Sequence, residues 1–217
     1  MTLVKVCGLR TLADARTAVE SGANLLGFIF WQPGKRYVRP TDAARIVSTL
    51  RDEGRSFEAV GVFVDPDLAE VEAAVTLCNL DQVQLSGDEP AGLVAAMPRP
   101  TVKAIHVRPG EEAAAAALVD ANVLGAQRYL LDTHADGLPG GTGVAFDWSA
   151  LRPVGPRCLV AGGLRADNVA SALSILAPLG VDVSSGVESA PGTKDPQRIR
   201  AFLEAVRTYD SHHQQQH

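Results

Sequence analysis

Short apolar runs rich in β-branched residues recur along the chain, each followed by a polar turn and then a stretch with apolar residues at helical spacing. Eight such units can be counted, and strands are expected over 3–7, 25–30, 59–64, 82–85, 102–105, 129–132, 159–161 and 181–183. None of these runs alternates cleanly between apolar and polar. Near-continuous apolarity means burial on both faces, the situation of parallel strands inside a shell of helices. Helix starts are expected where an acceptor side chain precedes a proline, at Asp65-Pro66 and Asp195-Pro196. In the last helix Ile199, Phe202, Leu203 and Val206 share one face, and the alanine-rich segment 111–118 reads as another shell helix.

Eight βα units can close into a barrel or open into a doubly wound sheet. Their even spacing, with no Rossmann glycine fingerprint, favours a single α/β (β/α)8 TIM barrel. The catalytic barrel is expected over 1–209, with a polar tail over 210–217 in which His212, His213 and His217 read as frayed chain rather than a metal site. With 217 residues, 46% of them hydrophobic and 21% charged, the chain can fill one core. A net charge of −5 with no Lys/Arg run argues against nucleic acid or an anionic membrane and for a small-molecule substrate. No leader and no membrane span are visible, so a cytoplasmic location is expected. Cys7, Cys78 and Cys158 are odd in number and lack CxxC spacing, so free thiols are expected and no metal site.

In a closed barrel the chemistry sits at the C-terminal strand ends. Cys7 ends the first strand, Asp132 the sixth, and Asp182 lies on the eighth beside Ser184, Ser185 and Gly186. Gly162 and Gly163 follow the seventh strand, and Gly141 lies in a glycine-rich run after the sixth. Each glycine cluster alone is compatible with a plain turn, but three at adjacent mouths suggest phosphate binding, aided by a short helix expected to start near Val187. Arg36 is either a surface arginine or a bidentate grip on a carboxylate. Cys7 is either a small buried hydrophobe or, near a positive field, a partly ionised base; Asp132 could also cap a turn. Cys78 and Cys158 are read as packing. His106 and His134 follow strands without a recognisable carboxylate partner, and a metal centre would need more ligands.

Lys5-Val6-Cys7-Gly8, Gly27-Phe28-Ile29-Phe30, Arg36-Tyr37-Val38, Gln84-Leu85-Ser86-Gly87-Asp88-Glu89, Gly140-Gly141-Thr142-Gly143, Ala161-Gly162-Gly163-Leu164 and Asp182-Val183-Ser184-Ser185-Gly186-Val187-Glu188 follow one another along the chain. On these motifs the chain resembles, over nearly its full length, the phosphoribosylanthranilate isomerases. It implies a cofactor-free Amadori rearrangement of a phosphorylated aminosugar in tryptophan biosynthesis. Asp132 would be the acid, Cys7 the base, Arg36 the anchor of the anthranilate carboxylate and Asp182 the partner of the amine. Gly163, Ser184 and neighbouring amides would bind phosphate. The functional unit would be a monomer or homodimer. Two departures stand out: Ser86 replaces the family's usual histidine, and Gly34 its usual serine. The related isomerase of histidine synthesis would carry aspartate where this chain has Cys7, and a binding barrel without catalysis would not need Cys7 and Asp132 together.

Overall fold

A computed structural model describes residues 1–132 and 148–214. Among these residues eight parallel strands follow one another around a closed barrel: β1 (Leu3–Cys7), β2 (Leu25–Ile29), β3 (Glu58–Phe63), β4 (Gln82–Leu85), β5 (Thr101–His106), β6 (Arg128–Asp132), β7 (Cys158–Ala161) and β8 (Gly180–Val183). Every expected strand is present to within one residue at either end. Closure is made by β1, which pairs with β2 on one side and with β8 on the other, setting Lys5 opposite Asp182. An open sheet is thereby excluded.

The shell consists of α1 (Leu12–Glu20), α2 (Pro40–Asp52), α3 (Leu68–Cys78), α4 (Ala91–Ala95), α5 (Glu112–Ala121), α6 (Trp148–Leu151), α7 (Val169–Leu176) and α8 (Pro196–Gln214). Two short antiparallel strands, β9 (Glu188–Ala190) and β10 (Thr193–Lys194), lie between β8 and α8. Leu25, Val60, Val102, Ala104, Leu130, Leu159 and Ala161 fill the barrel interior. The larger core lies between strands and helices and includes the expected α8 stripe of Ile199, Phe202, Leu203 and Val206. Each such buried aliphatic or aromatic side chain stabilises the fold by about 1.5–3 kcal/mol. Cys78 and Cys158 are buried free thiols in this packing.

Asp195 caps α8 as expected, its carboxylate accepting from the N–H groups of Gln197 and Arg198 at 2.8 and 3.2 Å. Asp65 does not cap α3. Its backbone has a left-handed φ of 47°, its carboxylate accepts from the Asp88 N–H at 2.7 Å, and α3 starts later, at Leu68. A tertiary partner in the loop after β4 outcompetes the local cap. The polar tail expected from 210 also gives way to structure, because α8 continues to Gln214 and Asp210 accepts from both the N–H and the hydroxyl of Thr2 at 2.8 and 2.7 Å. No described helix is long and apolar enough to cross a membrane. The run 139–143 with Gly141, and His134, lie outside the described residues.

Candidate active site

The C-terminal ends of the strands open into a cleft of about 420 Å3. Cys7, Arg36, Asp132, Asp182, Gly162, Gly163, Ser184, Ser185 and Gly186 all line it, so each expected site residue that the structure describes reaches the same space.

Cys7 is the last residue of β1 and is 5% exposed. Its strand partner is Gly27, where a Cβ would stand 2.9 Å from the thiol sulfur; a glycine there leaves the sulfur room. Two residues earlier on the same strand, Lys5 is fully buried and donates to Asp182 Oδ2 at 2.9 Å. Burial alone would draw the Lys5 ammonium down, but the charges of Asp182 and Cys7 outweigh it and hold its pKa above the usual lysine value. Both surroundings weighed for Cys7 are present, a buried site and a nearby positive field. Burial pushes the Cys7 pKa up, and the positive charges of Lys5 and Lys194 oppose that rise without cancelling it. Two buried acceptors at the cleft, Asp182 Oδ1 and Gln84 Oε1, have no hydrogen-bond partner among the described residues. Such an atom costs about 1–3 kcal/mol until a donor meets it, so both are suited to N–H or O–H groups of a ligand.

Asp132 ends β6 beside His106, which ends β5; the two are register partners. His106 Nδ1 lies 3.6 Å from Asp132 Oδ2, and Nε2 donates to the Ser86 carbonyl at 3.0 Å. The histidine that lacked a visible carboxylate partner therefore has one, supplied across strands rather than along the chain. Asp132, together with the Ser86 carbonyl, raises the His106 pKa to about 8 against the cost of its burial.

On the opposite side of the mouth Arg36 lies on the loop after β2. Gly8, at φ 75°, lies under its stem, where a Cβ would come within 2.8 Å of Arg36 Cδ. The guanidinium donates through Nε and Nη2 to the two carboxylate oxygens of Glu188 at 2.7 and 2.9 Å. The phosphate-like corner is formed by Gly162 and Gly163, at φ 98° and 63°, facing Ser184, Ser185 and Gly186. Gly186 is tightly enclosed: a Cβ would stand 1.8 Å from the Leu164 carbonyl oxygen. The helix expected to start near Val187 is absent. A single 3-10 turn spans Ser185–Val187, and the chain then turns extended into β9, so no helix dipole contributes here. Among the described residues no group of three or more His, Cys, Asp or Glu side chains is disposed to hold a metal ion.

The pattern shared by the family described as N-(5'phosphoribosyl)anthranilate (PRA) isomerase matches residues 4–205. The chain belongs to the N-(5'-phosphoribosyl)anthranilate isomerase family. Relatives bearing that name include the protein of Geobacter sp. (strain M21), 45% identical over 205 residues that cover 94% of this chain and 97% of the relative. That of Citrifermentans bemidjiense is 44% identical, covering 94% and 96%. The crystal structure of phosphoribosyl anthranilate isomerase from Thermotoga maritima superposes with a TM-score of 0.84 at 37% identity, covering 96% of this chain and all of that one. A phosphoribosyl anthranilate isomerase crystallised with reduced 1-(o-carboxyphenylamino)-1-deoxyribulose 5-phosphate superposes at 0.82 with 34% identity, with the same coverage.

Within this isomerase barrel both departures from the family pattern are accommodated locally. Ser86 Oγ accepts from Gln84 Nε2 at 3.0 Å while its carbonyl holds His106. Gly34 closes a turn on the Trp31 carbonyl at 3.0 Å, with the Trp31 ring 3.0 Å from where a Cβ would lie. Lys5, Gln84, Glu188 and Lys194 were not among the expected site residues, and His106 was considered only as a possible metal ligand. Lys5 carried a usable signal, since a charged residue two positions before Cys7 on a buried strand points to the same face. His106 carried one as well, being the final residue of a strand adjacent to that of Asp132. Glu188 closes the last of the quoted motifs without any hint of its role, and Lys194 gave no signal, because their pairing is set by the β9–β10 turn.

Proposed function

We propose that the chain carries out its family's reaction, the Amadori rearrangement of N-(5'-phosphoribosyl)anthranilate to 1-(2-carboxyphenylamino)-1-deoxyribulose 5-phosphate in tryptophan biosynthesis, with Asp132 as acid and Cys7 as base. Asp132 gives a proton to the ribose ring oxygen; the C1′–O bond breaks as the anthranilate nitrogen lone pair forms an iminium. The Cys7 thiolate then takes the proton from C2′, and the electrons of that bond give an enolamine. Loss of the enol proton and protonation at C1′ leave the ketone. The hydrogen shift is internal and redox-neutral, so acid–base catalysis suffices and no cofactor is called for. Removal of the C2′ proton is assisted by Lys5, whose charge favours the thiolate inside a buried pocket.

The observation that carries this reading is that Cys7 and Asp132 line one cleft, between Arg36 on one side and the Gly163, Ser184 and Gly186 corner on the other. Arg36 takes the anthranilate carboxylate, Asp182 Oδ1 accepts the anthranilate N–H, and the backbone and hydroxyls at Gly162, Gly163, Ser184, Ser185 and Gly186, with Gly141, take the phosphate. The catalytic unit is the single barrel, with α8 running through the boundary expected at 209 to Gln214. It acts in the cytoplasm on a small phosphorylated aminosugar, as a monomer or homodimer, since one chain supplies every residue named. The test is to follow the loss of anthranilate-type fluorescence as freshly made substrate is consumed. Turnover by the purified protein supports the assignment; a folded protein that binds the substrate without turnover refutes it.

A further inference from the structure

Arg36 is not a free cation at the edge of the cleft. Its side-on edge, Nε and Nη2, is taken up by both oxygens of Glu188, a residue whose side chain is 4% exposed and which stands behind the cleft rather than in its lining. Glu188 is in turn fixed from the far side. Lys194, with a side chain 1% exposed, donates to Glu188 Oε1 and to the Ser184 carbonyl, each at 2.9 Å, and the Arg198 guanidinium donates to the Glu188 carbonyl. The β9–β10 turn thus carries both halves of a buried ion pair whose outward face meets Arg36.

We propose that Glu188, backed by Lys194, is a positioning residue that aims Arg36 so that its end-on edge, Nη1 and Nη2, faces the substrate carboxylate. This rests on the reading of Arg36 as the carboxylate anchor. An arginine side chain has many rotamers, and one that must be ordered on binding subtracts that entropy from affinity. Here the stem lies against Gly8 and the fork is held at two points, so the ordering is complete before substrate arrives. The charge balance agrees: with Arg198 paired to Asp195 at 3.6 Å, Arg36 and Lys194 against Glu188 leave a single positive charge, matched to one incoming carboxylate. Because Lys194 also holds the Ser184 carbonyl, the same pair links the carboxylate anchor to the phosphate corner.

The test is steady-state kinetics of Glu188→Gln, Arg36→Met and the double variant, with melting curves to confirm folding. Glu188→Gln is expected to raise KM by about tenfold or more, the size of one weakened charge-assisted hydrogen bond, with kcat within about threefold of normal. In the Arg36→Met background the Glu188 substitution should add nothing to KM, because there is no guanidinium left to aim. If Glu188→Gln fails to fold because Lys194 is left unpaired, Glu188→Asp, which keeps the buried charge but draws the carboxylate one methylene back from the guanidinium, is measured in its place with the same expectation. A normal KM in the folded variant overturns the proposal, as does a loss in kcat alone or a further rise in KM in the Arg36→Met background. A normal KM in Arg36→Met by itself overturns the anchor reading and the proposal together, and is distinguished by leaving the acid and base variants unaffected.

Discussion

Replacing Lys5 with Met removes one side of an ion pair in which both partners are buried, at 1% and 6% side-chain exposure and 2.9 Å separation. The methionine fills nearly the same volume, so the change is mainly electrostatic. Asp182 then has an uncompensated carboxylate with neither oxygen paired, since Oδ1 already has no partner among the described residues. Breaking a buried pair from one side costs about 3–5 kcal/mol. With about 2.1 cal/mol/K of unfolding entropy per residue over 217 residues, that lowers Tm by about 7–11 °C. The pH dependence has a definite sign. Stranded in the core, Asp182 takes a folded pKa above its unfolded value of about 3.9, so the folded state binds more protons and stability falls as pH rises above about 4. The deficit of Lys5→Met should therefore be small in acid and largest at neutral pH, and adding Asp182→Asn should recover part of it. Calorimetric melts at pH 4 and pH 7.5 read both effects. A Tm within about 2 °C of wild type at pH 7.5, where about 2–4 °C corresponds to 1 kcal/mol, would mean that the buried pair contributes almost nothing to stability.

Three further outcomes follow from the same geometry. Arg36→Met should chiefly raise KM, leaving kcat little changed, because the contact is made equally in ground and transition states; steady-state kinetics would show the opposite split if Arg36 served the chemistry. Gly186→Ala should lose about 1–3 kcal/mol of stability and weaken binding of inorganic phosphate, since the new methyl would meet the Leu164 carbonyl oxygen at 1.8 Å; an unchanged melt and phosphate affinity would contradict it. His106 should titrate near pH 8 by NMR and return toward about 6.5 in Asp132→Asn. Because the folded pKa is the higher one, the stability this contact contributes is fully present below about pH 6.5 and lost as pH rises through about 8.

Much of this fold was legible in the sequence because parallel strands buried on both faces leave an unambiguous trace, and the strand ends locate the mouth where Cys7, Asp132 and Asp182 meet. The failures share a physical cause. Asp65 had the local chemistry of a helix cap, yet the Asp88 N–H claims it from another loop. The helix expected near Val187 yields to an extended segment whose Glu188 is drawn into an ion pair with Lys194. For Cys7 the sequence left a buried thiol and a partly ionised base both open, and the structure supplies both burial and the Lys5 and Lys194 charges, whose balance depends on barrel depth that is not written in the neighbouring residues. His106 and Asp132 are 26 positions apart, and only strand register makes them neighbours. Composition and periodicity read local preference well, whereas charge pairing across the barrel is decided by closure.

The division of labour between Cys7 and Asp132 is tested most directly by measuring kcat for Cys7→Ala and Asp132→Asn with saturating N-(5'-phosphoribosyl)anthranilate. Each is expected to be lower than wild type by at least about a hundredfold, the low end of a general acid or base contribution, with folding intact. A near-normal kcat in either folded variant would contradict the role assigned to that residue.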